Sequence, residues 1–205
     1  MLNTYGRAFA AWLFTPVAAQ LLRLGVSPDA VTVTGTVGVC AGALLLFPAG
    51  QLFAGVIVIG VFVLSDSIDG IMARRQGRSA VWGAYLDSTL DRVADAAIFG
   101  GLVLYFTGAG AHRPTAVLAL LCLVLAFLVS YARARAEGLG MSGKGGPAER
   151  AERLVVVLVA TGLVGLGLPV GWLAVALAGL AVASAVTVAQ RMRGVLQQSR
   201  ALGRT

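Results

Sequence analysis

Charge is what this chain has least of. Only 12% of its 205 residues are charged, about half of what a soluble domain carries, while 58% are hydrophobic. That balance excludes an ordinary water-soluble globule. Cysteine is nearly absent too: Cys40 and Cys122 both sit inside apolar runs, where they pack as small hydrophobes and supply neither a disulfide framework nor a thiolate metal site. No internal repeat and no low-complexity tail is present. The stretch Met1 to Gln20 lacks the order of basic start, apolar core and small-residue cleavage site, so it is expected to be retained.

What remains is long apolar runs. A membrane-crossing helix needs about 20 residues, and six runs qualify: Val31 to Phe47, Leu52 to Ala73, Gly83 to Phe106, Thr115 to Ala136, Glu152 to Leu168 and Val170 to Gln190. Ahead of them, Ala8 to Leu24 mixes apolar residues with Pro16, Gln20 and Arg23, which predicts an amphipathic helix lying at the interface. The expected fold is therefore an all-α polytopic membrane protein with six transmembrane helices and an N-terminal interfacial amphipathic helix. Its parts are the interfacial segment at 1–28, the membrane domain at 29–195 and a tail at 196–205. Glycines in the last two runs, Gly162, Gly165, Gly167, Gly171 and Gly179, are candidates for close helix approach, within one subunit or between two.

Basic residues set the orientation, because Lys and Arg favour the cytoplasmic side of short loops. Arg74, Arg75 and Arg78 follow the second run; Arg133, Arg135, Lys144, Arg150 and Arg153 surround the gap after the fourth; Arg191, Arg193, Arg200 and Arg204 follow the sixth. The alternate loops hold only Arg113. Both termini are predicted to be cytoplasmic, in the cell membrane. The glycine-rich stretch Gly138 to Pro147 reads as a flexible cytoplasmic loop.

Against this apolar background stand Asp66, Asp69, Asp87 and Asp91. A carboxylate at membrane depth is costly unless a cation answers it, so such a cluster marks a functional site. Asp66 and Asp69 are three apart and Asp87 and Asp91 four apart, so each pair projects from one helix face. The turn-forming segment Arg74 to Trp82 between them lets the pairs face each other across a helical hairpin. Oxygen-only ligands suit hard cations, Mg²⁺ first and Mn²⁺ or Ca²⁺ behind it, and four carboxylates suit two ions. Magnesium shares its coordination with phosphates, which points to a diphosphate substrate.

The residues around the aspartates sharpen this. Asp66-x-x-Asp69-Gly70-x-x-Ala73-Arg74, eight residues, then Gly83-x-x-x-Asp87-x-x-x-Asp91 resembles, in every fixed position, the signature of the CDP-alcohol phosphotransferases. The resemblance implies a six-helix, dimeric membrane enzyme that displaces CMP from a CDP-linked alcohol by the hydroxyl of a second alcohol. It implies that Asp66, Asp69 and Asp87 hold Mg²⁺, as two ions with Mn²⁺ as a substitute. It also implies that Asp91 is the general base and touches the second ion. Asp29, Ala30, Val31, Thr32, Gly70, Arg74 and Ala80 are implied to contact the CDP-diacylglycerol. Relatives often carry a hydroxyl residue where Ala80 stands, so that contact is in doubt.

A narrower likeness covers nearly the whole chain. Ser130-Tyr131-x-Arg133-Ala134-Arg135-Ala136-Glu137, Glu149-Arg150-Ala151-Glu152-Arg153-Leu154 and Val188-Ala189-Gln190-Arg191 are similar to actinobacterial members of that family whose acceptor is myo-inositol phosphate. That likeness implies Ser130, Arg133, Arg153 and Arg191 as the acceptor-phosphate pocket and phosphatidylinositol phosphate as the product. Those relatives commonly have lysine where Arg133 stands. Partners then are the two substrates, membrane lipids and a second copy, with no nucleic acid. A glycerol 3-phosphate acceptor would use the same aspartates and also needs basic residues. Intramembrane prenyltransferases bind diphosphates through aspartates too, but with two separated motifs and more spans. A cation channel would need acids along a path to the far side. Asp95, one turn beyond Asp91, is expected to orient the site from outside the motif, or to pair with Arg92.

Overall fold

The computed structural model describes residues 14–75 and 81–203; within the third helix, the side chains of Ser65, Asp66, Ser67 and Arg74 are outside the description, as is Ala80. Seven helices make up these residues: α1 (14–23), α2 (Pro28–Ala41), α3 (Leu52–Arg75), α4 (Val81–Thr107), α5 (Arg113–Gly138), α6 (Arg150–Gly165) and α7 (Val170–Ala201).

Local chemistry explains where they start. Ser27 caps α2, its hydroxyl accepting from the Ala30 amide at 3.2 Å, and Pro28 occupies the first turn, where its missing N–H costs nothing. At its far end α2 widens into a π-turn over Gly42–Leu46, a feature with no composition signal. Gly101 of α4 meets that turn so closely that an added Cβ would stand 2.3 Å from the Ala43 carbonyl oxygen. Gly165 plays the same part where α6 crosses the start of α3, its added Cβ falling 2.5 Å from the Phe53 amide. Gly171 and Gly179 have nothing within 4 Å of such an atom, so of the glycines expected to draw helices together only some do so within the chain.

Helix α2 packs on both α3 and α4, and α5 packs on α4 and α7. The core between them is apolar, built on Phe47, Ile59, Phe99, Leu102, Phe106, Val157, Leu173 and Leu177. Outward faces are apolar as well: Leu45, Ile57, Val61, Leu104, Val155 and Val175 are more than half exposed, as befits helices whose solvent is lipid. The described part of α1 rests on the end of α3 through Ala18, Ile71 and Met72. Residues 1–13 of that segment lie outside the described residues.

Four of the described helices are long and apolar enough to cross a membrane: Pro28–Leu46, Leu52–Ala73, Arg113–Gly138 and Val170–Ala201. The third and fifth expected runs are helical but fall short of that measure. Helix α4 carries Asp87, Asp91, Arg92 and Asp95 within its first 15 residues, and α6 is 16 residues long. At 1.5 Å per residue α7, with 32 residues, runs about 48 Å, longer than the ~30 Å apolar core of a bilayer.

Candidate active site

Two cavities meet at Asp91. The smaller is walled by Thr32, Gly35 and Thr36 of α2, Phe62 of α3, Asp91 and Ala94 of α4, and Arg150 of α6. The larger, about 620 Å³, lies between α4, α5, α6 and α7. Its walls include Asp87, Asp91, Ser130, Arg133, Arg150, Arg153 and Arg191. All four residues implied for an acceptor phosphate, drawn from 62 positions of chain, thus surround one space with two of the aspartates.

Helix α2 ties the first cavity to the motif. The Thr32 hydroxyl donates to Asp69 Oδ2, joining the start of α2 to the acid pair of α3, and Asp69 is 7% exposed. Asp29 lies in the first turn of α2, and Ala30, Val31 and Thr32 continue that turn. Gly70 is half-buried in α3. The expected contacts of Asp66 and Arg74 fall on side chains outside the described residues, and Ala80 is outside them altogether. Among the described residues, α2 packs on both α3 and α4, the two helices that carry the aspartates.

The larger cavity is electrostatically self-paired. Arg150 Nη1 lies 2.7 Å from Asp91 Oδ1 and its Nε lies 3.5 Å from Asp95 Oδ1. Arg92 Nη2 stands 3.2 Å from Asp91 Oδ2. Arg153 Nη2 meets Asp95 Oδ2 at 2.9 Å with both side chains 2% exposed, and its Nη1 donates to the Ala148 carbonyl at 3.1 Å. Asp95 therefore pairs directly with Arg150 and Arg153, and among the described residues forms no ion pair with Arg92. Arg133 pairs with Glu137 at 2.9 Å on the outer rim.

Arg191 organises the loop before α6. Its Nη1 donates to the Val129 carbonyl at 2.6 Å and its Nε to the Gly145 carbonyl at 3.1 Å, while Nη2 lies 3.8 Å from Glu149. Gln198 exchanges hydrogen bonds with the Ser142 backbone at 2.8 and 3.0 Å, and the Thr187 hydroxyl accepts from the Ala148 amide at 3.1 Å. Gly146 adopts φ +116° against Thr187, leaving no room for a side chain. The loop expected to be flexible is instead fastened along α7, because partners distant in sequence satisfy its backbone. Arg150, which the sequence places among the basic residues around the gap after the fourth run, reaches Asp91 from α6, as Arg92 does from within α4.

A divalent cation is tested by this donor set. Asp69 and Asp87 offer carboxylate oxygens from two helices, the ligand type hard cations take, and Asp91 adds a carboxylate against which Arg150 and Arg92 lie. Among the described residues nothing pairs with Asp87, so its charge stays available to a cation. No three His, Cys, Asp or Glu side chains among the described residues gather into a metal-binding group, and Asp66, the fourth acid, has its side chain outside them. The donor chemistry fits a hard cation.

Comparison with known proteins agrees with the geometry. Residues 25–189 match the CDP-alcohol phosphatidyltransferase family. The chain is 50% identical to the phosphatidylinositol phosphate synthase of Streptomyces avermitilis, covering 97% of this chain and 84% of that protein. It is 48% identical to the one from Mycolicibacterium smegmatis, over 95% and 90%. Among solved structures, the Mycobacterium tuberculosis phosphatidylinositol phosphate synthase with CDP-DAG bound superposes with a TM-score of 0.86 at 45% identity, covering 90% of this chain and 94% of that one. The same enzyme in complex with manganese and citrate gives 0.84, over 89% and 88%.

Proposed function

Since the chain belongs to the CDP-alcohol phosphatidyltransferase family, we propose that it is the enzyme that moves a phosphatidyl group from CDP-diacylglycerol to a hydroxyl of myo-inositol phosphate, releasing CMP. The observation that carries this reading is the shared cavity, in which Asp87 and Asp91 stand across from Ser130, Arg133, Arg153 and Arg191. A basic pocket beside acids suits an acceptor that brings its own phosphate. The relatives named above, at 45 to 50% identity over nearly the full chain, act under that same description.

The residues divide the work. Asp29, Ala30, Val31, Thr32, Gly70, Arg74 and Ala80 are assigned to the CDP-lipid, with the Thr32 to Asp69 bond joining that group to the motif. Ser130, Arg133, Arg153 and Arg191 are assigned to the acceptor phosphate. Asp91, between the two cavities, takes the proton from the acceptor hydroxyl, whose oxygen attacks the β-phosphorus as CMP leaves. Asp66, Asp69, Asp87 and Asp91 would hold Mg²⁺, as two ions with Mn²⁺ as substitute, and such ions draw charge from a diphosphate. Manganese in the solved relative supports the metal class.

The chain is a multi-pass membrane protein. We assign α4 and α6 as further spans beside the four that qualify by length and composition, because their buried faces pack into the same core. Both termini and the site then face the cytoplasm, the side with most of the basic residues. Residues 1–28 lie at the interface, 29–195 form the membrane domain and 196–205 the tail, and the working unit is a homodimer. Mass spectrometry of the lipid made from CDP-diacylglycerol and inositol phosphate tests the reading. Phosphatidylinositol phosphate is expected; a phosphoglycerol lipid formed only when glycerol 3-phosphate is supplied would replace the acceptor.

A further inference from the structure

Asp91 is covered on both oxygens. Arg150 Nη1 sits 2.7 Å from Oδ1 and Arg92 Nη2 sits 3.2 Å from Oδ2. A carboxylate held by two guanidiniums is poorly placed to accept a proton from a substrate hydroxyl. The two covers differ in where they can go. Arg150 stands at the start of α6 in the wall of the large cavity, with its side chain 23% exposed. Its Nε is already 3.5 Å from Asp95, and Asp95 is fixed from behind by the buried Arg153. Turning about Asp95 would carry the Arg150 guanidinium off Asp91 and into the space lined by Ser130, Arg133 and Arg191.

We infer that Arg150 is a specificity-determining residue: it covers Asp91 until a phosphate on the acceptor draws it away, so that the acceptor's phosphate itself uncovers the base. This rests on the assignment of Asp91 as base and of a phosphorylated acceptor. A phosphomonoester carries a charge of about −1.5 to −2 and three strong acceptor oxygens, and it takes a guanidinium fork in bidentate fashion. It therefore competes well against one edge of a carboxylate that Arg92 also serves. A neutral polyol offers only hydroxyls and leaves the ion pair standing. The phosphate then acts on turnover as well as on binding, since the contact it makes with Arg150 matters for reaching the transition state.

The test supplies the acceptor in two pieces. The intact enzyme, with CDP-diacylglycerol and saturating Mg²⁺, is given free inositol with and without millimolar inorganic phosphate, and CMP release is followed. Phosphate is expected to raise turnover of free inositol by at least about tenfold, a fraction of what a general base contributes. In Arg150→Gln, free-inositol turnover is expected to be raised without phosphate and to be insensitive to it, with the KM for CDP-diacylglycerol unchanged. The inference is overturned if phosphate leaves the wild-type rate unchanged or lowers it. It is also overturned if Arg150→Gln only raises the KM for inositol phosphate while free inositol stays unused. Should the variant not fold, the wild-type arm decides alone. If wild type uses glycerol 3-phosphate and not inositol phosphate, the acceptor assignment fails separately, and the same experiment with glycerol and phosphate decides the role of Arg150.

Discussion

The ion pair between Arg153 and Asp95 makes the sharpest stability prediction. Both side chains are 2% exposed and the contact is 2.9 Å, so Asp95→Leu strands a guanidinium in a low-dielectric interior with, among the described residues, the Ala148 carbonyl as its remaining acceptor. Removing one partner of a buried pair costs about 3 to 5 kcal/mol. Asp95→Asn keeps an acceptor oxygen but loses the charge, which lowers the cost to about 1 to 3 kcal/mol. The double variant Asp95→Leu with Arg153→Met removes both charges and should return to within about 1 kcal/mol of wild type, since apolar replacements of whole pairs are often near neutral. Arg150, which also approaches Asp95, keeps Asp91 in either case. Equilibrium unfolding of the purified protein in mixed micelles, without substrates, measures all three. A loss below about 1 kcal/mol in Asp95→Leu, or a double variant no better than the single one, would mean that the buried pair is not what Asp95 contributes.

Three further outcomes follow from the geometry. Asp91→Asn should lower kcat by about 10²- to 10⁴-fold while CDP-diacylglycerol binding, read by calorimetry, changes only a few-fold at most; retained turnover would remove Asp91 from the role of base. Gly146→Ala forces a side chain onto φ +116° and 2.3 Å from Thr187 Cγ2, so a loss of about 1 to 3 kcal/mol and a raised acceptor KM are expected, the latter because Arg191 holds the neighbouring Gly145 carbonyl. Gln198→Ala removes the two-way bond to Ser142, for about 1 to 2 kcal/mol, and hydrogen exchange at residues 139–148 should speed up while α5 stays protected.

Much of this was legible in the amino acids. The apolar runs predicted most helices to within a few residues because a bilayer demands long uninterrupted apolar segments, although α7 continues to Ala201, well past the predicted end at Gln190, and the likeness of the whole aspartate motif, with Gly70, Ala73, Arg74 and Gly83, pointed to the family. Among the described residues four helices rather than six qualify as spans on their own, for a related reason: α4 pays in charge for carrying Asp87, Asp91 and Asp95. The loop after α5 misled, since glycine content reads as freedom, yet Gln198, Arg191 and Thr187 bind it from 39 to 56 positions away. No local pattern encodes such pairings. Arg150 was hidden for a different reason, because the positive-inside bias makes one cytoplasmic arginine look like another. Arg153 and Arg191 were read as phosphate ligands; both line the cavity, and both also hold structure together.

Selection of a phosphorylated inositol by this cavity is read most simply from initial rates of CMP release from CDP-diacylglycerol with Mg²⁺, offering inositol phosphate, free inositol and glycerol 3-phosphate in parallel. Turnover with inositol phosphate is expected far above the other two. A preference for glycerol 3-phosphate would contradict the assigned acceptor pocket, and no CMP with any acceptor would contradict the proposed transfer itself.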